Sequence, residues 1–263
     1  MIFACLIRHR DLVVQLAKRD VIGRYRGSVM GVLWSIVHPL VMVGVYMLVF
    51  QVVFNPRWGM PTNGRTEFAL FLFAGLMVHS FFAECANRAP NLVLSHVNYV
   101  KKVMFPLEIL PWVSLGSALF HVSVSVVVLL LCQGLLHLSL NWTVILFPVL
   151  LFPLGLMVLG ISWFLASVGV FLRDVGQVIG ILTSVMLFLS PVFYPVSALP
   201  EAFQPLMYLN PLTFQVEQMR NILLMGTPLA WQGLVIYFLC SVLVAWVGLW
   251  WFQKTRKGFA DVL

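Results

Sequence analysis

The sequence predicts an all-α integral membrane protein, on three observations. Charged residues are 10% of the 263 and hydrophobic ones 61%, with a mean hydropathy of +0.99. A soluble domain carries about 25% charged residues, and a chain of this length cannot hide so much apolar surface from water. The apolar residues also come in long unbroken runs, without the in–out alternation of membrane β-barrel strands. Helices, which satisfy their own backbone hydrogen bonds, are then the spanning element. Finally, the net charge of +7 is concentrated at the N-terminus, in one internal loop and at the C-terminus, beside apolar runs. That is a positive-inside pattern and argues against nucleic acid as a partner.

The first element is basic and amphipathic. In residues 11–26, Leu12, Val13, Leu16, Ala17, Val21 and Tyr25 recur at three- and four-residue spacing, while Gln15, Lys18, Arg19 and Asp20 fall largely off that stripe. Such a helix lies in the membrane surface with its cations among anionic headgroups; a plain topogenic anchor is the alternative. From Val29 no charge occurs until Arg57, so the chain enters the membrane there.

About 20 helical residues cross a bilayer core of about 30 Å, and on that ruler six spans follow: 29–54, 68–86, 111–136, 142–171, 178–194 and 234–252. The single transmembrane domain of residues 1–263 thus divides into a cytoplasmic interface helix (1–28), a six-span bundle (29–252) and a cytoplasmic tail (253–263). With both termini inside, cytoplasmic segments hold Arg8, Arg10, Lys18, Arg19, Arg24, Arg26, Arg88, Lys101, Lys102, Arg173, Lys254, Arg256 and Lys257, and only Arg57, Arg65 and Arg220 fall outside. That bias predicts an N-in, C-in topology. No cleavable signal peptide is expected, because Arg8, Arg10 and Asp11 interrupt the first apolar residues.

Three connections carry further information. In the loop 88–111, Pro90 suits a helix start, Leu92, Val93, Val97 and Val100 form an amphipathic stripe, and Asn91, His96, Asn98, Lys101 and Lys102 supply polar contacts. A short helix presented to the cytoplasm is a docking element, or else one more interfacial helix. The turn F-L-R-D-V (171–175) places Arg173 and Asp174 between the fourth and fifth spans, where charges also serve simply to stop two helices. Segment 190–228 has proline at 191, 195, 200, 205 and 211 yet stays rich in Phe, Tyr, Leu and Met. It reads as short broken helices re-entering the outer leaflet between spans five and six, with an ordinary external loop bearing one amphipathic helix as the alternative.

Several chemistries are missing from the sequence. It contains no G-x-x-x-x-G-K-[ST] phosphate loop, no HExxH, no GxSxG and no carboxylate cluster with metal spacing. The four cysteines, at 5, 85, 132 and 240, show no CxxC spacing and read as buried thiols. His79, Glu84 and His121 are the ionisable residues at membrane depth. They are too few for a proton relay; Glu84 sits a turn from the cytoplasmic end of its span, and the histidines can stay neutral and hydrogen-bonded between helices.

Five motifs in order give the chain a resemblance to a known family. R-D-V-I-G-R-Y-R-G-S-V-M-G-V-L-W-S-I-V-H-P-L (19–40), K-K-V-M-F-P-L-E-I-L-P (101–111), F-L-R-D-V (171–175), S-P-V-F-Y-P (190–195) with L-P and Y-L-N-P-L (208–212), and the tail F-A-D-V-L (259–263) resemble the permease subunits of ABC-2-type exporters of lipid-linked polysaccharides such as O antigen, capsule or teichoic acid. The resemblance implies a half-transporter of the bacterial cytoplasmic membrane. Two copies form the pore, and two copies of a separate ABC ATPase supply ATP and Mg chemistry, so the chain itself is no enzyme and holds no cofactor. It further implies that Asn91, His96, Asn98, Lys101, Lys102, Arg173 and Asp174 couple to the ATPase. Arg24 and Arg26 are placed to attract the pyrophosphate of a polyprenyl-linked glycan, or to anchor lipid. Phe193, Tyr194, Tyr208 and Phe214 line a periplasmic gate or merely pack it. A drug or lipid exporter of the same family, a membrane-embedded glycosyl or acyl transferase and a secondary carrier are the alternatives. Scattered carboxylates disfavour the transferase, and the lack of internal repeats disfavours the carrier.

Overall fold

The structure, a computed structural model, describes residues 2–49, 65–97, 105–137 and 141–262. It is helical throughout these residues: α1 (Ile2–Arg8), α2 (Arg10–Arg24), α3 (Trp34–Leu48), α4 (Arg65–Arg88), α5 (Leu110–His137), α6 (Phe147–Phe171), α7 (Val175–Leu189), α8 (Gln204–Tyr208), α9 (Pro211–Arg220), α10 (Trp231–Thr255) and α11 (Phe259–Val262). Among the described residues, five stretches are long and apolar enough to cross a bilayer: Gly31–Leu48, Phe68–Asn91, Leu107–Leu136, Trp142–Phe171 and Trp231–Gly258.

The fifth predicted span, 178–194, is shorter than expected. Its helix α7 has 15 residues, about 22 Å at 1.5 Å per residue, and stops at Leu189. Ser190 takes extended backbone (φ −100°, ψ 151°) because the ring of Pro191 disfavours helical geometry in the residue before it.

Helix α6 has seventeen buried residues between Leu150 and Val170. Its closest neighbour is α10, and small residues make that contact possible. A Cβ on Gly248 would fall on the carbonyl oxygen of Gly160, and one on Gly160 would strike the backbone of Val244 and Ala245. Ser241 and Ala245 are buried along the same face of α10. Small residues let helix backbones approach closely where lipid offers no hydrophobic drive to association.

The two ends of the bundle collect different segments. At one end, Arg256 beyond α10 pairs with Glu108 before α5 at 2.5 Å, Phe259 packs on Phe171 and Phe252, and the short turn Ala89–Asn91 packs against α6. There a Cβ on Gly169 would meet Pro90. At the other end, Asn141 donates to the Leu224 carbonyl at 3.0 Å and Thr143 to that of Ile222 at 2.6 Å. The proline-rich segment divides into Val196–Ala198, α8, α9 and Asn221–Met225. Leu212, Val216, Met219, Ile222 and Leu223 are fully buried, so α9 inserts into the bundle and does not lie outside it as an external loop.

The loop after α4 holds two single turns, Ala89–Asn91 and Leu94–His96, with Pro90 in the first turn; Asn98, Lys101 and Lys102 lie outside the described residues. The reading of the cysteines as buried thiols needs correction. Cys85 is buried, Cys5 and Cys132 are half-buried, and Cys240 is exposed on α10. A thiol behaves as a small apolar group, so on a helix facing lipid it has no need of a protein neighbour.

Candidate functional site

The interface helix α2 runs along α5 with the stripe expected of it: Val13 and Val21 are buried, and Leu12, Leu16, Ala17 and Tyr25 half-buried. Gly116 of α5 admits Ala17, whose Cβ would be 3.1 Å from a Cβ placed there. After Tyr25 the chain turns through Gly27 (φ +86°) and Gly31 (φ +53°). Left-handed backbone of this kind costs a side-chain-bearing residue about 1–2 kcal/mol, and glycine makes the turn into α3 without it.

Polar side chains tie α2 to its neighbours. Arg24 Nη2 donates to Glu84 Oε1 at 2.5 Å. His121 Nδ1 lies 3.0 and 3.1 Å from the two Glu84 oxygens, and Tyr25 Oη is 3.3 Å from His121 Nε2. With a proton on Nδ1 the imidazole donates to Glu84, and Arg24 Nη1 lies 3.4 Å from the same nitrogen. One turn further along α4, Arg88 Nη2 donates to Asp20 at 2.6 Å. Burial alone raises the Asp20 pKa, but the hydrogen bond and charge of Arg88 outweigh it and hold the carboxyl below its usual value.

Two cavities meet at this cluster. The first, about 620 Å³, is enclosed by α2, α3, α4 and α5; Arg24, Tyr25, Glu84 and His121 form its polar end, and Met42, Phe73, Leu76, Met77 and Val122 part of its apolar wall. The second, about 640 Å³, is lined by Arg19, Asp20, Gly23, Arg24, Arg26 and Arg88. Arg24 belongs to both. The two arginines singled out from sequence therefore stand in one basic pocket, and one of them also opens onto an apolar chamber.

The other predicted groups divide. Asn91 is exposed beside the start of α7, with Gly176 close by, and Arg173 and Asp174 are exposed in the turn before α7. The loop after α4 and the turn after α6 thus form one surface at the end of the bundle that also carries α2. His96 bonds back to the Leu92 carbonyl at 2.9 Å. The four aromatics of the segment between α7 and α10 are not gathered into one lining. Phe193 stacks on Phe188 and Tyr194 Oη donates to the Phe188 carbonyl at 2.6 Å, both folding back on α7. Phe214 stacks on Tyr237 of α10, and Tyr208 is exposed. Their partners differ because α8 and α9 separate them along a chain that turns at each proline.

Arg220 escaped the sequence reading, which placed it outside the membrane as an ordinary cation. It is 6% exposed and donates to the carbonyls of Phe71 (3.0 Å), Pro191 (2.7 Å) and Val192 (2.6 Å). One guanidinium thus fastens the turn after α7 to α4, and Gly75 leaves it room, since a Cβ there would sit 3.1 Å from Nη2. Glu84 and His121 stood out as ionisable residues at membrane depth, but their partnership with Arg24 did not. Among the described residues no group of three or more His, Cys, Asp or Glu is placed to hold a metal.

The sequence profile of ABC-2 type transporters matches residues 11–224. The chain is 28% identical to the O-antigen export system permease protein RfbA of Myxococcus xanthus over 270 residues, covering 97% of this chain and 96% of that protein. It is 26% identical to an RfbA of Klebsiella pneumoniae over 257 residues, covering 96% and 95%. The capsule polysaccharide export inner-membrane protein CtrC of Neisseria meningitidis is 24% identical, with 95% and 92% covered.

Proposed function

Since the chain belongs to the ABC-2 type transporter family, we propose that it is the permease half of an ATP-driven exporter of lipid-linked polysaccharide, of the O-antigen or capsule kind named for its relatives. Their near end-to-end match carries the reading. A homodimer of this chain forms the path, and two ABC ATPase subunits dock on the surface made by Asn91, Arg173 and Asp174, together with His96, Asn98, Lys101 and Lys102. The chain holds no cofactor, and ATP and Mg belong to the partner. The short α7 counts as the fifth of six crossings, which leaves both termini in the cytoplasm and Arg220 and the broken segment at the periplasmic end. Phe193, Tyr194, Tyr208 and Phe214 belong to the periplasmic gate.

Arg24 and Arg26 receive the pyrophosphate of a polyprenyl-linked glycan. A cation near an anionic surface contributes roughly 1 kcal/mol, and a guanidinium adds paired donors matched to phosphate oxygens. The apolar cavity beside Arg24 supports the assignment, because it offers the isoprenoid a place next to its headgroup. Two measurements test the function. Deleting the gene removes a surface glycan, which the wild-type gene restores. The Arg24→Gln/Arg26→Gln variant still co-purifies with its ATPase but exports less; unaltered export rules out the headgroup role.

A further inference from the structure

Arg24 has two environments within reach. Its side chain is 38% exposed and lies on the wall shared by the apolar cavity and the basic pocket. On the cavity side it is engaged by Glu84. Glu84 is only 15% exposed, and it has other nitrogen neighbours: His121 Nδ1 at 3.0 Å and, at ion-pair distance of 3.8 Å, Arg88 Nη1. A carboxylate with several nitrogen neighbours therefore holds a guanidinium that also borders an open basic pocket. Withdrawing Arg24 leaves Glu84 with His121 and Arg88, and leaves Arg24 free to meet an anion beside Arg26.

We infer that Glu84 is a resident stand-in for substrate phosphate, and that it sets which anionic lipid is admitted. The inference rests on the reading of Arg24 as a headgroup contact. Glu84 holds Arg24 at the cavity mouth until an incoming headgroup takes it over. A phosphodiester headgroup brings a single negative charge, no more than the carboxylate it must displace. The pyrophosphate diester of a lipid-linked glycan brings two negative charges and more acceptor oxygens, which a guanidinium can engage in pairs. The exchange therefore favours polyprenyl pyrophosphates over the bulk anionic phospholipids that surround the site in large excess. Glu84 acts as a specificity determinant by competing, without touching the substrate.

The test uses the permease with its co-purifying ATPase in phosphatidylcholine nanodiscs, with farnesyl pyrophosphate as probe. Inorganic pyrophosphate and farnesol serve as the headgroup-only and chain-only arms. Wild type binds farnesyl pyrophosphate in preference to either arm, and added phosphatidylglycerol does not compete. In Glu84→Gln, farnesyl pyrophosphate binds roughly fivefold tighter, the equivalent of one partly exposed ion pair, and phosphatidylglycerol now competes. Arg24→Gln loses the probe, and Glu84→Gln added to it restores nothing. Unchanged or weaker binding in Glu84→Gln, or a gain that persists without Arg24, overturns the exchange while the headgroup reading stands. Should Glu84→Gln fail to fold, His121→Leu decides: it leaves Glu84 more dependent on Arg24 and weakens binding, whereas unchanged or tighter binding overturns the exchange. If wild type ignores farnesyl pyrophosphate, the headgroup reading falls and the exchange with it. Equal binding of inorganic pyrophosphate overturns the lipid-linked class.

Discussion

Two seams in this bundle are built on opposite principles. Between α6 and α10, glycines at 160 and 248 bring the backbones together, with Ala245 and Ser241 buried along the same face. Between α2 and the α4–α5 pair an apolar stripe packs on α5, but the end of the seam is closed by ion pairs, a histidine and a tyrosine, with a chamber of about 620 Å³ behind them. Close-packed interfaces have essentially one arrangement, because any added volume forces backbone to move. A polar seam beside open space has several, since each charged group can find another partner. The first seam sets the architecture, and the second is where the site can change state.

Substitutions at three positions probe that contrast. The largest effect is expected at Gly248, where leucine has to occupy the position of the Gly160 backbone. Gly248→Leu yields no monodisperse protein on size exclusion, and Gly248→Ala loses about 3 kcal/mol of stability, read as a lowered melting temperature. A stable, monodisperse Gly248→Leu protein contradicts the account of a locked seam. Arg220→Met comes next. It keeps the volume but leaves the carbonyls of Phe71, Pro191 and Val192 without their donor, at a cost of about 3 kcal/mol, and it makes the segment after α7 easier for protease to cut. The smallest effect belongs to the polar seam. Asp20→Asn costs about 1 kcal/mol, the scale of a partly exposed pair. The pH dependence has a definite sign. Because the folded Asp20 pKa is depressed, its pairing with Arg88 contributes in full above the unfolded value of about 3.9 and is lost only as pH falls through the lower folded value. Thermal melts of wild type and Asp20→Asn therefore differ by a constant amount from pH 8 to pH 5 and converge only in stronger acid.

The seams were unequally legible in the sequence. The spans follow from apolar run length, which is local, and the break after α7 follows from Pro191, also local. The stripe on α2 was visible as periodicity for the same reason. Arg24 and Arg26 were found because cations at the start of a span are conspicuous. Their partners were not: Glu84 lies sixty residues from Arg24 and His121 ninety-seven, and periodicity says nothing about which helices meet. Arg220 misled for a related reason. A basic residue in a proline-broken stretch looks solvated, and only the arrival of three carbonyls from α4 and the turn after α7 makes it a buried staple. Sequence also grouped Phe193, Tyr194, Tyr208 and Phe214 by proximity along the chain, but not their separate partners, Phe188 for the first two and Tyr237 for Phe214.

The contact between Gly169 and Pro90 gives the bundle a mechanical property. The backbone of the turn at 89–91 bears directly on α6, with no side chain between them to yield. Helix α6 is in turn meshed with α10, so the three move as one stiff body. A displacement imposed on that turn from below is not absorbed where it is applied. It travels the length of the body, and open space lies on the far side of α4, in the chamber beside Arg24.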